Sequence, residues 1–422
     1  VSVEVNPVGV HCGMTCSFCY QHPVRAATRN ARPLLNLPAV LASVERTCAE
    51  TGDTSFSLFG GEPLLADLAD LEEIWRFGLE RFGRNGVQTS GAEITEAHFA
   101  LFKRYQVTVG FSIEGPGELN DSRRYGTLEQ TRAATERSCA WLERCLGEHV
   151  PCSLIVTLHS TNASPGRLPG LLEWLRRLDT LGLRDARVHA LELDAGAAAL
   201  RLSVADAVAA FRAIASLEGD LRGLRFDVFK DMRSLLSAMD DSVTCVWDSC
   251  DPWTTPAVQG VDAQGHRSLC QRVHKDGRQW GAAPAGPLVR QLVLASTPQA
   301  EGGCQGCRFL TSCKGQCPGT AIDGDWRKRS ADCELWFALL EHVEGDLEAE
   351  GIVPVSKRPD RALIEARMKA AWAAGRRPTN RGCIEDRYAQ TDAGMHGDHA
   401  DHGDHTDLGL ALGALAGGER VD

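Results

Sequence analysis

Val1-Ser2-Val3-Glu4-Val5, closely followed by Cys12-Gly13-Met14-Thr15-Cys16-Ser17-Phe18-Cys19, decides how the chain is read. The first run is β-branched and short, a strand by composition. The second is a C-x3-C-x2-C loop set directly after it. In parallel α/β folds ligands collect where strands end at their carboxyl edges, so the loop stands where chemistry is expected. Three thiolates this close can hold three irons of a cubane cluster and leave the fourth without a protein ligand. As at catalytic zinc, an open coordination position invites a substrate or cofactor, whereas a four-thiolate site is closed. A zinc knuckle and incidental buried cysteines fit the same spacing.

Outward from this pair, the chain to about residue 215 alternates short apolar runs with longer amphipathic stretches, the pattern of repeated βα units around a mainly parallel sheet. Strands are expected at Val1 to Val5, Thr54 to Phe59, Gly86 to Ser90, Val107 to Ile113, Cys152 to Leu158 and Arg187 to Leu193. The clearest helices are Leu64 to Arg84 and Leu168 to Leu181, with apolar residues recurring at three and four. Periodicity alone does not separate an open sheet from a barrel. Unusual residues recur at the strand ends: Gly60-Gly61-Glu62-Pro63 after the second, Gln88-Thr89-Ser90-Gly91 after the third, and Ser112 with Glu114-Gly115-Pro116 after the fourth. Paired glycines let a backbone approach a ligand, and a carboxylate can pair with an ammonium. Any one of these is an ordinary turn; in register with the cysteine loop they read as one site.

Composition narrows the rest. At roughly 150 residues per domain, 422 residues make two to three domains with ample core. Forty-five basic against 56 acidic residues leave a net charge of −11, which argues against a nonspecific grip on nucleic acid or on an anionic membrane. No run approaches a membrane span, and Val1 to Val10 lacks the halves of a secretory signal, so a cytoplasmic location is expected. Sixteen cysteines in a reducing compartment suggest metal binding or redox chemistry rather than disulfides. Cys48, Cys139, Cys145, Cys152 and Cys383 fall outside the clustered spacings and read as small buried hydrophobes.

Past about Asp240 the texture changes. Cys, Gly, Trp and Asp become dense, and long helices are not expected again until Glu334. Such a segment has few periodic apolar positions, and bound metal is the economical way to hold it. Its cysteines run Cys245, then Cys250, Gly265 and Cys270 as C-x14-G-x4-C. Cys304, Cys307, Cys313 and Cys317 follow as C-x2-C-x5-C-x3-C, and Cys333 lies beyond. Eight thiolates suffice for two closed four-iron clusters, or for a pair of structural zinc sites. Helices are expected from Cys333 to about Glu350 and from Pro359 to Gly375. Near the end, His396 to Asp407 writes His-x-Asp four times, a stretch suited to weak zinc, nickel or copper binding or to a solvated low-complexity tail.

With its aromatic Phe18 before the last cysteine, and with Gly60-Gly61-Glu62 and Ser112 to Pro116 downstream, the first loop resembles the radical SAM superfamily. The resemblance implies an α/β fold with a partial (β/α)6 barrel. In it Cys12, Cys16 and Cys19 hold a [4Fe-4S] cluster whose free iron takes S-adenosylmethionine. By motif, Gly60, Gly61 and Glu62 meet the methionine amino end, Ser112 lies near the ribose or carboxylate, and Arg124, more loosely aligned, serves the carboxylate. The later cysteines resemble the SPASM extension. That implies two auxiliary [4Fe-4S] clusters, one on Cys245, Cys250, Cys270 and Cys317 and the other on Cys304, Cys307, Cys313 and Cys333. The expected organisation is a barrel over 1–215, a helical bridge over 216–240, the auxiliary-cluster domain over 241–345, helices over 346–377 and a disordered His/Asp-rich tail over 378–422.

The function so implied is a radical S-adenosylmethionine oxidoreductase. It would take hydrogen from a ribosomally synthesised peptide or protein through a 5′-deoxyadenosyl radical, forming a crosslink, with auxiliary clusters accepting the remaining electron. Expected partners are that substrate and an electron donor such as flavodoxin or ferredoxin. A separate leader-binding protein is expected too, since the chain starts at the first strand. A sulfatase-maturing oxidase is the alternative, ranked lower because Gln271 follows Cys270 where those relatives carry an aspartate base. A noncatalytic zinc-binding scaffold is the alternative of another class. No catalytic side chain is identified by the sequence.

Overall fold

The computed structural model describes residues 2–192, 197–243, 245–252, 254, 257–273 and 286–388. Nine strands form one sheet: β1 (Ser2–Val5), β2 (Phe56–Leu58), β3 (Asn85–Thr89), β4 (Val107–Ser112), β5 (Cys152–Leu158), β6 (Asp185–Ala190), β7 (Arg225–Phe226), β8 (Val258–Val261) and β9 (Arg267–Leu269). Their order is β7-β6-β5-β4-β3-β2-β1-β8-β9. Every pairing is parallel except the β8–β9 hairpin. From β1 to β7 the order never reverses. Right-handed crossovers then lay their helices on one face and leave the other face to curl inward, which makes a barrel wall rather than a doubly wound sheet. β7 and β9 remain the two edges, so the barrel is partial, as expected.

The alternation along each strand supports this. Val3 and Val5, Val107, Val109 and Phe111, Leu154, Val156 and Leu158, and Ala186 and Val188 are buried in the helix-covered core. Their alternates, among them Glu4, Ser112, Thr157 and His189, face the concave side. The concave face is therefore polar. The helices are set by local chemistry: Leu128–Gly147 starts with a capping box in which Thr127 Oγ1 accepts from Gln130 N (3.2 Å) and Gln130 Oε1 accepts from Thr127 N (2.8 Å). Leu68–Phe82 buries Leu71, Ile74 and Trp75 on one stripe and stops at Gly83 (φ 72°).

Three findings depart from the sequence expectation. The sheet does not end with the sixth strand: β7 arises within the stretch assigned to a helical bridge, and β8 and β9 from the cysteine-rich stretch, with β8 beside β1. These strands are short and their pairing is long-range, so no local alternation announces them. Gly265 turns the β8–β9 hairpin at φ 80°, where a Cβ would strike the Ala39 backbone at 2.6 Å. A short helix, Val289–Ser296, also lies inside the cysteine-rich stretch, packed with Leu310, Ile364, Met368 and Trp372 in a second, smaller core. Finally, residues 379–388, expected to belong to the tail, are folded. Helix Asn380–Ile384 is capped by Asp240, whose carboxylate accepts from Asn380 N (2.7 Å) and Arg381 N (3.1 Å). The His-x-Asp repeat lies outside the described residues. No described helix is long and apolar enough to cross a membrane.

Asp179, buried near the end of helix Leu168–Thr180, accepts from the N–H groups of Arg222 (2.9 Å), Gly223 (2.8 Å) and Leu224 (2.8 Å), fixing the approach to β7. Burial alone would raise its pKa, but the three amides hold it below the usual value. Its contribution is therefore complete above pH ~4 and lost as pH falls through the lower folded value. Asp179→Ala is expected to cost about 2–4 kcal/mol in denaturant unfolding at pH 7 and to flatten the acid limb of the stability profile.

Candidate metal and cofactor centre

The loop after β1 is held from several sides. Asn30 brackets Cys12, its Oδ1 accepting from Cys12 N (3.1 Å) and its Nδ2 donating to Cys12 O (2.9 Å). Buried Arg25 donates to Met14 O (2.7 Å) and Val10 O (3.2 Å), and its Nη2 lies 3.6 Å from Cys19 Sγ. Thr15 N and Ser17 N donate to Arg124 O (2.7 Å) and Ser122 O (2.8 Å). The loop thus presents three cysteines from fixed main chain. Burial pushes the Cys12 thiol up to about 12 and Cys16 to about 11, and neighbouring Cys16 and Cys19 respectively push the same way.

Gly60-Gly61-Glu62 lies directly against this loop. Gly61 N donates to Gly9 O and Glu62 N to His11 O, both at 2.8 Å, and a Cβ on Gly61 would stand 2.0 Å from His11 O. Gly60 has φ 120° and a Cβ there would meet Gly9 O at 2.6 Å. The glycines let two chain segments touch. Glu62, fully buried, receives Thr89 Oγ1 (2.7 Å) and Leu64 N (3.4 Å) on Oε1, and Ser90 N (2.9 Å) and Ser90 Oγ (2.6 Å) on Oε2. A carboxylate offers about four acceptor sites. Glu62 therefore ties β2 to β3, with its acceptor sites already engaged.

Ser112 Oγ accepts from Gln88 Nε2 (2.8 Å) on the concave face. Arg124 is exposed and joins the site only through its carbonyl. The arginine that enters is its neighbour: Arg123 pairs with buried Glu114 at 2.6 Å and lies 5.2 Å over the Phe18 ring. Adjacent positions in a turn point apart, and spacing does not reveal which one turns inward. His159, also buried, contacts Ser122 Oγ (2.9 Å) and stacks 5.3 Å from Phe18. Burial, helped by Arg123, lowers its pKa to about 4, so it is neutral at physiological pH.

The eight later cysteines sort into two neighbourhoods. Burial raises Cys313, and Cys304, Cys333 and Cys307 raise it further; Cys304, pushed to about 12, likewise feels Cys307 and Cys333. Those four cysteines line one cavity with Phe309, Trp336 and Phe337. Burial also raises Cys270, reinforced by Cys245 and Cys317, and lifts Cys250 to about 12, reinforced by the same two. Among the described residues no three His, Cys, Asp or Glu side chains crowd closely enough to share one ion. A cubane asks for a wider frame, each thiolate taking its own iron. Thiols this buried, each raising its neighbours, form a donor set that becomes favourable as thiolates only around positive charge. Of the remaining cysteines, burial pushes Cys145, Cys152 and Cys383 up to about 12, as unreactive thiols.

Between the first loop and Cys270 lies a polar cluster that sequence reasoning missed. Tyr20, next to Cys19, is raised by burial and by Cys270 and Glu192. Arg272 pairs with Glu192 and approaches His189 Nδ1 (3.0 Å). Glu4 is raised to about 7 by burial, against the pull of Arg187 and Arg272. Gln21 donates to Gln271, joining the two cysteine loops directly. The available signal was Glu4 itself, a carboxylate between two valines in a strand. A separate cavity opens beside Cys333, lined by Leu158 and Leu191 at the strand ends and by Arg201, Phe211, Arg329 and Asp332.

Residues 6–165 match the family model of the radical SAM superfamily. The chain carries a radical SAM domain, as its cysteine loop and strand-end motifs suggest. Among curated relatives, a cysteine-type anaerobic sulfatase-maturating enzyme of Clostridium perfringens is 26% identical over 132 residues, 29% of this chain and 35% of that protein. A serine-type anaerobic sulfatase-maturating enzyme of Klebsiella aerogenes is 25% identical over 169 residues, 38% of this chain and 41% of that protein. The chain thus matches well under half the length of these relatives. Among solved structures, native anSMEcpe with bound AdoMet superposes with a TM-score of 0.62 at 17% identity, over 82% of this chain and 98% of that one. SuiB of Streptococcus suis superposes with a TM-score of 0.53 at 14% identity, over 79% and 76%. These structures share the fold.

The contact between the glycine pair and the loop is testable. Gly61→Ala drives a Cβ into a main-chain carbonyl and is expected to cost about 3 kcal/mol or more in unfolding. Gly52→Ala, at φ 74° with open space around it, is expected to cost only about 1 kcal/mol.

Proposed function

We propose that the chain is a radical S-adenosylmethionine oxidoreductase that modifies a ribosomally synthesised peptide or protein by forming a crosslink. The observation that carries this reading is the placement of three cysteines, Cys16 buried and Cys12 and Cys19 half-buried, in the loop at the carboxyl edge of a partial parallel barrel, with the polar cluster of Tyr20 and Arg272 between that loop and Cys270. Cys12, Cys16 and Cys19 would hold a [4Fe-4S] cluster with one open iron. Cys245, Cys250, Cys270 and Cys317, and Cys304, Cys307, Cys313 and Cys333, would hold two closed auxiliary clusters of the SPASM type. Adenosylmethionine on a reduced cluster supplies a carbon radical able to take hydrogen from an unactivated C–H bond.

The protein's own part is placement and shielding. Gly60 and Gly61 bring main chain to the methionine amino end, while Glu62 fixes the turn that presents them. Ser112, on the concave face, is placed to meet the ribose or carboxylate. Arg123, rather than Arg124, has the position and charge to meet the carboxylate. Phe18 and neutral His159 keep water from the mouth. The cavity beside Cys333 gives a peptide a route to the strand ends, with Arg201, Arg329 and Asp332 as polar contacts. A reducing cytoplasm, a flavodoxin- or ferredoxin-like donor and a leader-binding partner complete this reading.

A sulfatase-maturing reaction is the second reading, favoured by the names of the relatives. Against it stands Gln271, an amide bonded to Gln21 and no base. Anaerobically reconstituted wild type is expected to hold about twelve irons per chain and to release 5′-deoxyadenosine under strong reductant. Cys12→Ala/Cys16→Ala/Cys19→Ala protein is expected to keep about eight irons and release none. Colourless zinc protein would defeat both enzyme readings. Coexpression with neighbouring small open reading frames, followed by mass spectrometry, then separates them: a product lighter by two hydrogens and linked between residues favours crosslinking, whereas turnover of a sulfatase-derived peptide favours maturation.

A further inference from the structure

We infer that Arg290 is the shared counter-ion of the two auxiliary cysteine quartets and raises the reduction potential of both clusters. This rests on the cluster reading above and adds a residue that no cysteine motif contains.

Arg290 is completely buried in helix Val289–Ser296. Its guanidinium donates to four main-chain carbonyls: Trp326 (2.7 Å), Lys314 (3.2 Å), Gly315 (3.1 Å) and Lys328 (3.3 Å). Lys314 and Gly315 belong to the short link between Cys313 of one quartet and Cys317 of the other. The same helix touches a further cysteine of each: Gln291 donates to Cys250 O (3.2 Å), and Leu294 O accepts from Cys304 N (2.7 Å). One arginine on one short helix thus stands at the junction of both sites.

All four guanidinium bonds go to carbonyl dipoles, which solvate the charge without neutralising it. A buried ion needs a counter-charge. Asp251, the nearby carboxylate, accepts the Arg290 backbone N–H (2.7 Å) and favours the charged guanidinium, but Cys250, Cys317 and Cys304 act on it more strongly. The neighbouring cations divide differently. Arg272 acts on Cys317 and Cys245, both of one quartet, and is paired with Glu192. Arg329 acts on Cys304 and Cys307. Lys314 faces Asp240 and Asp248 and donates to Trp247 O. Among these groups Arg290 is the one that reaches both quartets.

A cubane with four thiolates is negatively charged and becomes more so on reduction, and net charge sets its potential. A guanidinium stays protonated and, when buried, is little screened by salt. It therefore favours the reduced form on either side of it.

The test is an EPR-monitored redox titration of the full chain, anaerobically reconstituted, with iron counted. In Arg290→Gln both auxiliary potentials are expected to move negative while that of the first cluster stays; in Arg329→Gln only the cluster on Cys304, Cys307, Cys313 and Cys333 should move. Full iron in Arg290→Gln with neither or only one auxiliary potential shifted overturns the inference and leaves the cluster reading standing. If Arg290→Gln loses iron, Arg290→Lys decides: the charge remains while bonds are lost, so potentials near wild type support the counter-ion, and a negative shift as large as that of full charge loss at the Arg329→Gln site overturns it. Wild type that binds no iron overturns both readings.

Discussion

The main chain of Gly61 rests against the carbonyl of His11 with no room for a Cβ between them, and the mouth of the barrel is built outward from that contact. It fixes the cysteine loop on the end of β1 and brings the end of β2 level with it. Each next strand is then tied to the last by a polar bridge at the same height. Glu62 holds Thr89 and Ser90, Gln88 holds Ser112, and Glu114 accepts from Thr157 N while pairing with Arg123. Farther round, His189 meets Arg272 beside Cys270. Parallel strands give the frame, and this belt of side chains ties neighbouring strands together at their carboxyl ends.

The belt explains what sequence revealed and what it did not. Strand positions came through to within a few residues because apolar residues alternate against the helix layer, a local property. The contact between the cysteine loop and the glycine pair was legible because both stand at neighbouring strand ends. β8 stayed hidden, since four residues containing a glycine find their partner in β1 some 250 residues earlier. That Arg123 turns inward and Arg124 outward was not legible, because one peptide unit reverses a side chain's direction and the buried carboxylate of Glu114 decides between them. Glu62 reads from sequence as a partner for a ligand's ammonium; its four protein donors, which brace β2 against β3, were not legible there.

The cysteine-rich half obeys a different economy. It has little regular secondary structure, so its carbonyls lack ladder partners, and long cationic side chains supply donors in their place. Arg290 reaches four carbonyls, Arg329 reaches Gln299 O (2.6 Å) and Gly303 O (2.7 Å), and Lys314 reaches Trp247 O. Arg290 and Lys314 are fully buried, and a dipole only partly offsets the cost of burying each charge. Packed among them are eight thiols, of which Cys245, Cys250, Cys270, Cys304, Cys307, Cys313 and Cys317 are pushed toward the protonated form chiefly by burial. Either population alone is a burden on stability.

Together they are complementary once metal is admitted. On the proposed reading, ligation would take the protons from the thiols and leave a net negative cage for the buried cations to answer. Folding and metal loading of this half would then be one equilibrium, with the small apolar core around Leu310, Met368 and Trp372 as its metal-independent anchor. The barrel needs no such help, because its helix-covered core is continuous from β1 to β7. The molecule thus pairs a half that apolar burial can hold with a half that charge compensation must hold, and the polar lumen between Tyr20 and Arg272 is where the two meet.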